Sequence, residues 1–275
     1  MYKKVYVEII NTCNMRCTFC HGHHRKAGML TEENFRHILT QLKGKTQYIY
    51  YHLMGEPLLH PLLPRFLQMA KAEGFHSCIT TNGTLLNKYG DAILAAGLHK
   101  VSISLHSFEE GSVVDQADYL KNVCAFAEKA AANGTIISLR LWNKGFDNGK
   151  NDVTEQLLRE FLPGEWAENA RGLRIRDKLF LEWGNRFQWP DENAPEYGEK
   201  VFCYGLRDQF GILCDGTVVP CCLDSEGVIN LGNIFREDLE NILRSPRATA
   251  IRDGFSRRCA AEELCRRCGY AQRFS

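Results

Sequence analysis

Apolar residues recur along the first 180 positions in two rhythms that take turns. The runs "KVYVEII", "YIYYHL", "HSCITTNG", "KVSISLHS" and "TIISLRLWN" predict five strands. Helix-period segments lie between them. "TEENFRHILTQL" puts Phe35, Ile38, Leu39 and Leu42 on one face behind Thr31 as N-cap. A second helix runs through "RFLQMAKAEG" to Gly74, and a third covers Asp91 to Ala96 ahead of Gly97. A fourth carries Leu120, Val123, Cys124 and Ala127 at helical spacing and ends in Asn133-Gly134. "VTEQLLREFL" predicts a fifth helix and "LRIRD" a weaker sixth strand.

Six such alternations imply an α/β fold with a parallel sheet and right-handed crossovers, either doubly wound or barrel-like. The strand faces favour the barrel. In "VSISLH", Val101, Ile103 and Leu105 alternate with Ser102, Ser104 and His106; in "SLRLW", Leu139 and Leu141 alternate with Ser138, Arg140 and Trp142. A doubly wound sheet is covered on both sides and needs two apolar faces. One polar face per strand suits a functional interior, with the chemistry at the C-terminal strand ends. The expectation is therefore a partial (β/α)6 barrel over residues 1–185.

Beyond residue 185 the character changes. "RFQWPDENAPEYGEK" reads as a linker, "QFGILCDGTVVPCC" as a hairpin turning at Asp215-Gly216, and "REDLENILRSPRATAI" as a helix before a cysteine-rich tail. Residues 186–275 are expected to form a small second domain of β-hairpin plus helix. With 44% hydrophobic and 24% charged residues and a net charge of +1, the chain of 275 residues has the composition of an ordinary globular protein. Nothing in that balance points to nucleic acid or a membrane surface, and no apolar run approaches a membrane span. The opening "MYKKVYVEII" lacks a signal-peptide pattern because Glu8 and Asn11 interrupt it, so a cytoplasmic location is expected.

In a reducing compartment twelve cysteines suit metal or catalysis better than disulfides. Three of them sit in "CNMRCTFC" directly after the first strand: Cys13, Cys17 and Cys20. Seven follow residue 200: Cys203, Cys214, Cys221, Cys222, Cys259, Cys265 and Cys268. Two pairs from distant elements form a closed four-ligand site for zinc or an iron–sulfur cluster. Three thiols leave one position open. They suit a [4Fe–4S] cluster whose fourth iron takes a small molecule, or a partial zinc site completed from His21, His23 or His24.

"CNMRCTFC" resembles the signature of the radical S-adenosylmethionine (SAM) superfamily, Cys-x3-Cys-x-aromatic-Cys, matched by Cys13, Cys17, Phe19 and Cys20. "MGEP", with Gly55 and Glu56, resembles the family's Gly-Gly-Glu-Pro segment, Met54 standing in place of the first glycine. The resemblance implies that Glu56 meets the methionine ammonium of SAM by a charge-assisted hydrogen bond. "SISLHS" resembles the stretch whose serine meets the SAM ribose, which points to Ser104. The family's glycine-rich fifth-strand motif has no counterpart in "TIISLRLWN". The activity implied is one-electron cleavage of SAM to a 5′-deoxyadenosyl radical that abstracts a substrate hydrogen, with the protein excluding water and side reactions.

The hairpin, Gly216-x4-Cys221, "LGNI", a helix and the final Cys265-x2-Cys268 resemble the SPASM/Twitch extension of this superfamily. Only seven residues follow Cys268, so the one-cluster Twitch form matches better. The resemblance implies a second, auxiliary [4Fe–4S] cluster on Cys203, Cys221, Cys265 and Cys268. Cys214 and Cys222 read as apolar packing, Cys78 and Cys124 as core, and Cys259 as an alternative ligand.

An auxiliary cluster suits oxidation, because it can take the electron left after hydrogen abstraction and deprotonation. The length and cysteine pattern resemble the small Twitch enzymes of the 2-deoxy-scyllo-inosamine dehydrogenase type, which implies a small hydroxylated substrate. Glu8, His52 and Arg140 are the polar interior candidates to meet it, with a Glu8–Arg140 pair and a core His52 as structural alternatives. A peptide or protein maturase and a non-enzymatic iron–sulfur or zinc protein remain as other readings. An external one-electron reductant such as flavodoxin or ferredoxin is the expected partner.

Overall fold

The computed structural model describes residues 1–110 and 115–274. Its first half follows the expected alternation: β1 (Lys4–Val7), α1 (Glu32–Leu42), β2 (Tyr48–Tyr50), α2 (Leu63–Ala72), β3 (His76–Thr81), α3 (Leu86–Ala95), β4 (Lys100–Ser104), α4 (Gln116–Ala132), β5 (Ile136–Lys144) and α5 (Lys150–Phe161). Helix α1 shows why the local sequence suffices. The Thr31 hydroxyl accepts from the Asn34 amide at 3.1 Å, an interaction whose loss costs about 1 kcal/mol. Phe35, Ile38, Leu39 and Leu42 all face the core.

Two elements differ from expectation. "LRIRD" contributes β7 (Gly172–Arg176), but this strand runs antiparallel to β8 (Leu179–Asn185) and to the short β6 (Ala167–Asn169). The sixth parallel strand is β8, paired with β5 through Arg140 and Glu182. Asp177-Lys178 turns the chain, with Lys178 at φ +60°, so "LRIRD" becomes the first arm of a hairpin. The single helix expected after residue 236 is broken into α6 (Leu239–Leu243) and α7 (Pro246–Ser256). Pro246 has no amide hydrogen and forces Ser245 to an extended conformation, from which the serine hydroxyl caps Ala248 at 3.2 Å.

The sheet has ten strands and is not closed, in the order β10-β9-β1-β2-β3-β4-β5-β8-β7-β6. Its outer end comes from the C-terminal region: β9 (Gln209–Ile212) pairs parallel with β1, from Lys4 opposite Gln209 to Val7 opposite Ile212, and β10 (Val218–Val219) folds back on it. The turn lies at Asp215-Gly216, as expected. Gly216 is at φ +88°, and a Cβ there would stand 2.4 Å from the Phe235 ring. "LGNI" runs along the hairpin, Leu231 and Ile234 donating to the Val218 and Gly216 carbonyls.

The outer face of the sheet buries Val5, Val7, Ile49, Ile79, Val101, Ile103, Ile137, Leu139 and Leu141 against the helices. The inner face of the central strands carries the alternate, largely polar set, including Lys4, Tyr6, Tyr50, Lys100, Ser102, Ser138 and Arg140. This division places the polar residues around one interior, with loops leaving the C-terminal strand ends above it.

Candidate active site and cluster sites

The chain leaves β1 through Glu8, which is fully buried. Its carboxylate accepts from both terminal guanidinium nitrogens of Arg25, at 2.8 and 2.7 Å, and from the Met54 and Cys214 amides. Such a buried fork holds because every charge finds a partner. Glu8 therefore ties the three-cysteine loop, the "MGEP" loop and the C-terminal hairpin together; its partner is Arg25 rather than Arg140.

Gly55 follows. Its φ of +79° is accessible to glycine, and a Cβ would lie 2.3 Å from the Ile10 carbonyl oxygen. The Glu56 amide donates to the Thr12 carbonyl at 2.9 Å, so the residue before Cys13 is clamped by this turn. Glu56 itself is buried. It accepts from the Leu58 amide and the Thr81 hydroxyl on one oxygen and from the Asn82 amide on the other. Burial outweighs these donors and pushes its carboxyl up to about 7.

The cysteine loop closes with a turn in which the Cys20 amide donates to the Cys17 carbonyl. Cys13 and Cys20 are exposed and Cys17 is half-buried. The Met15 amide and, at 3.9 Å, the Asn82 side chain point donors at the Cys13 sulfur. The Phe19 ring packs on His106, centroids 4.9 Å apart, and its carbonyl accepts from the Trp189 indole at 3.0 Å. His23 binds the Asn11 carbonyl and His21 stacks on Trp189, so both belong to the loop's support. Ser104 ends β4, half-buried and in register with Arg140.

The second thiol set is enclosed. Cys203, Cys221, Cys265 and Cys268 line one cavity together with Ile229, Phe255 and Leu264. Burial pushes the Cys203 thiol up to about 11 and those of Cys221 and Cys265 well above the ordinary value. Cys259 is exposed and does not line this cavity. Cys214 packs against Gly28, while Cys78 and Cys124 are core. Cys222 packs against the cluster of Tyr6, Leu53, Leu213 and Val219, which brings the hairpin exit to the polar interior.

In that interior His52 lies just past β2. Its Nε2 is 3.4 Å from the Thr80 hydroxyl and its Nδ1 is buried without a partner. Burial, then the cations Arg140 and Lys4, push its pKa down to about 3, so the ring is neutral. The Arg140 guanidinium lies 4.7 Å from the Trp142 ring centroid, and its Nε is buried without a hydrogen-bond partner.

Some contributors do not stand out in the sequence. Lys4 and Tyr6 share the face of Glu8 in "KVYVEII", a period-two signal that could have found them. Arg25, Asn82 and Trp189 act through long-range contacts that leave no local pattern.

An α/β sheet with a three-thiol loop above it and four thiols lining one cavity beside it suits a protein that holds iron–sulfur clusters. Residues 7–140 match the radical SAM superfamily and residues 203–269 the SPASM iron–sulfur cluster-binding domain. The chain belongs to the radical SAM superfamily, as an enzyme with a SAM-binding [4Fe–4S] cluster and an auxiliary cluster domain. Among curated proteins it is similar to the GTP 3′,8-cyclase of Chlorobaculum tepidum, 30% identical over 57% of this chain and 50% of that protein. It is also similar to the GTP 3′,8-cyclase of Helicobacter pylori, 24% identical over 90% and 88%. Among solved structures, BtrN in complex with AdoMet and 2-DOIA aligns with a TM-score of 0.63 at 16% identity, covering 98% of this chain and 93% of that one. Native anSMEcpe with bound AdoMet aligns with a TM-score of 0.65 at 14% identity, covering 97% and 88%. At such identities these structures show the shared fold. Among the described residues no helix is long and apolar enough to cross a membrane.

Proposed function

We propose that this enzyme oxidises a hydroxyl-bearing small molecule held in the polar interior, removing a hydrogen from a carbinol carbon to leave a carbonyl. The donor sets fit their groups: three accessible thiols beside the Gly55 turn would hold the SAM-binding cluster, and four enclosed thiols the auxiliary one. Bound there, these groups supply reductive cleavage of SAM and an acceptor for the second electron. The chain's residues do the rest. Glu56, whose Oε2 carries a single donor, meets the SAM ammonium; Ser104 meets the ribose; Phe19 on His106 walls the loop. His52, held neutral with Nε2 at Thr80, has Nδ1 free to share a hydrogen bond with a substrate hydroxyl without adding charge.

The observation that carries this reading is Cys222. It follows the cavity residue Cys221 and packs against the cluster that contains Tyr6, so the auxiliary site abuts the interior where a substrate would lie. Oxidation needs that adjacency because the electron must leave the substrate radical.

A second reading draws on the relatives named GTP 3′,8-cyclase: a radical-initiated cyclisation of a purine nucleotide. One experiment separates the two. Anaerobically reconstituted protein is given dithionite, SAM and candidate polyols, nucleotides or peptides, and products are weighed. A product two hydrogens lighter than a polyol, formed with 5′-deoxyadenosine, supports oxidation. An isomer of the nucleotide replaces it with cyclisation, and a cross-linked peptide with maturation. Protein with about eight irons that yields no 5′-deoxyadenosine rejects radical chemistry altogether.

A further inference from the structure

The interior of the sheet holds more positive charge than it neutralises. Lys4 of β1, Lys100 of β4 and Arg140 of β5 lie within electrostatic reach of one another, and Arg171, from the turn between β6 and β7, reaches both lysines. Facing them are one carboxylate, Glu182 of β8, the hydroxyls of Tyr6, Tyr50 and Tyr270, neutral His52, and the thiols Cys78 and Cys222. The chain as a whole carries a net charge of only +1, so this excess is local. Arg171 also lines an open cavity at the C-terminal ends of β5 and β8, together with Lys144 and Arg273 and with no carboxylate among its lining residues.

Lys4, Lys100 and Arg140 are half-buried, and such cations are normally matched by partners because each forfeits part of its hydration; Lys4 lies over the rings of Tyr6 and Tyr50. Here the match is incomplete. Arg140 Nε is buried with its N–H unused, while the ring of Trp142 supports the guanidinium plane. A guanidinium edge with a free N–H is a fork that a two-oxygen anion fills in one plane.

We propose that the substrate of this site carries an anionic group, a phosphate or a carboxylate, which docks on Arg140 between Lys4 and Lys100. The inference rests on the interior being the substrate site, and it adds that the hydroxyl-bearing molecule is anchored by charge. His52, on the same inner face, then addresses the uncharged part of the molecule.

The test titrates reconstituted holoenzyme, with SAM present, with inorganic pyrophosphate, succinate and myo-inositol, following the heat of binding. At least one anion is expected to bind where inositol does not. Its affinity should fall tenfold or more in Arg140→Gln and three- to tenfold in Lys100→Gln, and stay unchanged in the exposed-cation control Lys121→Gln. Preference for pyrophosphate assigns a phosphate, and preference for succinate a carboxylate. Binding of neither anion, or equal binding in the Arg140 and Lys121 variants, overturns the proposal. Iron content and melting temperature certify each variant; if Arg140→Gln fails to fold, Lys100→Gln decides. 5′-Deoxyadenosine is measured in the same samples. Wild type that cleaves SAM but binds neither anion loses this inference alone. Wild type that binds an anion but never cleaves SAM loses the radical reading and keeps the anion site.

Discussion

The two thiol sets occupy opposite environments. Cys13 and Cys20 are exposed on a loop held from beneath, while Cys221 and Cys265 line an enclosed cavity with Ile229, Phe255 and Leu264. The first arrangement leaves room for a small molecule at the cluster. The second is half-buried among apolar side chains and disfavours free thiolates by burial, so a metal cluster there would stabilise the fold as well as carry charge. Openness suits initiation, and enclosure suits storing an electron.

Breaking each set should expose that asymmetry. Cys17→Ala is expected to abolish 5′-deoxyadenosine formation while barely moving the melting temperature. Cys265→Ala should lose about half of roughly eight irons, melt several degrees lower, and still cleave SAM without turning substrate over. If both variants cleave SAM at the wild-type rate, the division of labour is wrong.

Next in size is the brace between the sets. Arg25→Ala leaves Glu8 buried without its counter-ion, and denaturant unfolding should show a loss of about 3–5 kcal/mol. A loss under about 1 kcal/mol would mean that Glu8 is not the anchor described. Gly55→Ala should cost roughly 2 kcal/mol or more, from backbone strain plus overlap with the Ile10 carbonyl, and should weaken SAM binding. Gly22, at φ +70° but with nothing within 4 Å of a Cβ, is the control: Gly22→Ala should cost only about 1 kcal/mol.

The smallest effect is on pH. Because Glu56 is pushed up to about 7 by burial, the folded chain holds an extra proton between the ordinary carboxylate range and pH 7. Through that window stability falls as pH rises. SAM affinity should move the other way, rising about five- to tenfold from pH 6 to 8 as the carboxylate ionises to meet an ammonium. A flat profile by equilibrium dialysis would remove Glu56 from the SAM site.

Most of the first 160 residues is legible because each element carries its own punctuation. Thr31 caps, Gly74 and Gly97 stop, and the alternation in "VSISLH" divides an inner from an outer face. "LRIRD" misleads because its apolar pattern states a strand but not a direction, which depends on the Asp177-Lys178 turn. After residue 236 the apolar period continues across Pro246, so the pattern predicts one helix where the chain forms two. At the site, thiol spacing along the chain is informative, whereas the partner of Glu8 is not: Arg25 lies in a polar loop whose neighbours are chosen by tertiary contact. The stretch around Trp189 reads as a linker because its composition is polar, yet its indole holds the Phe19 carbonyl and Pro190 lines the four-thiol cavity.

The pairing of β9 with β1 has a consequence for biosynthesis. Lys4 waits for Gln209, 205 positions later, before its strand gains that neighbour. During translation the nascent sheet presents a bare hydrogen-bonding edge for most of the chain's synthesis, the kind of edge that invites aggregation. Folding of this protein is thus tied to the emergence of its last quarter, and a ribosome stalled before residue 209 would hold a chain in need of a chaperone.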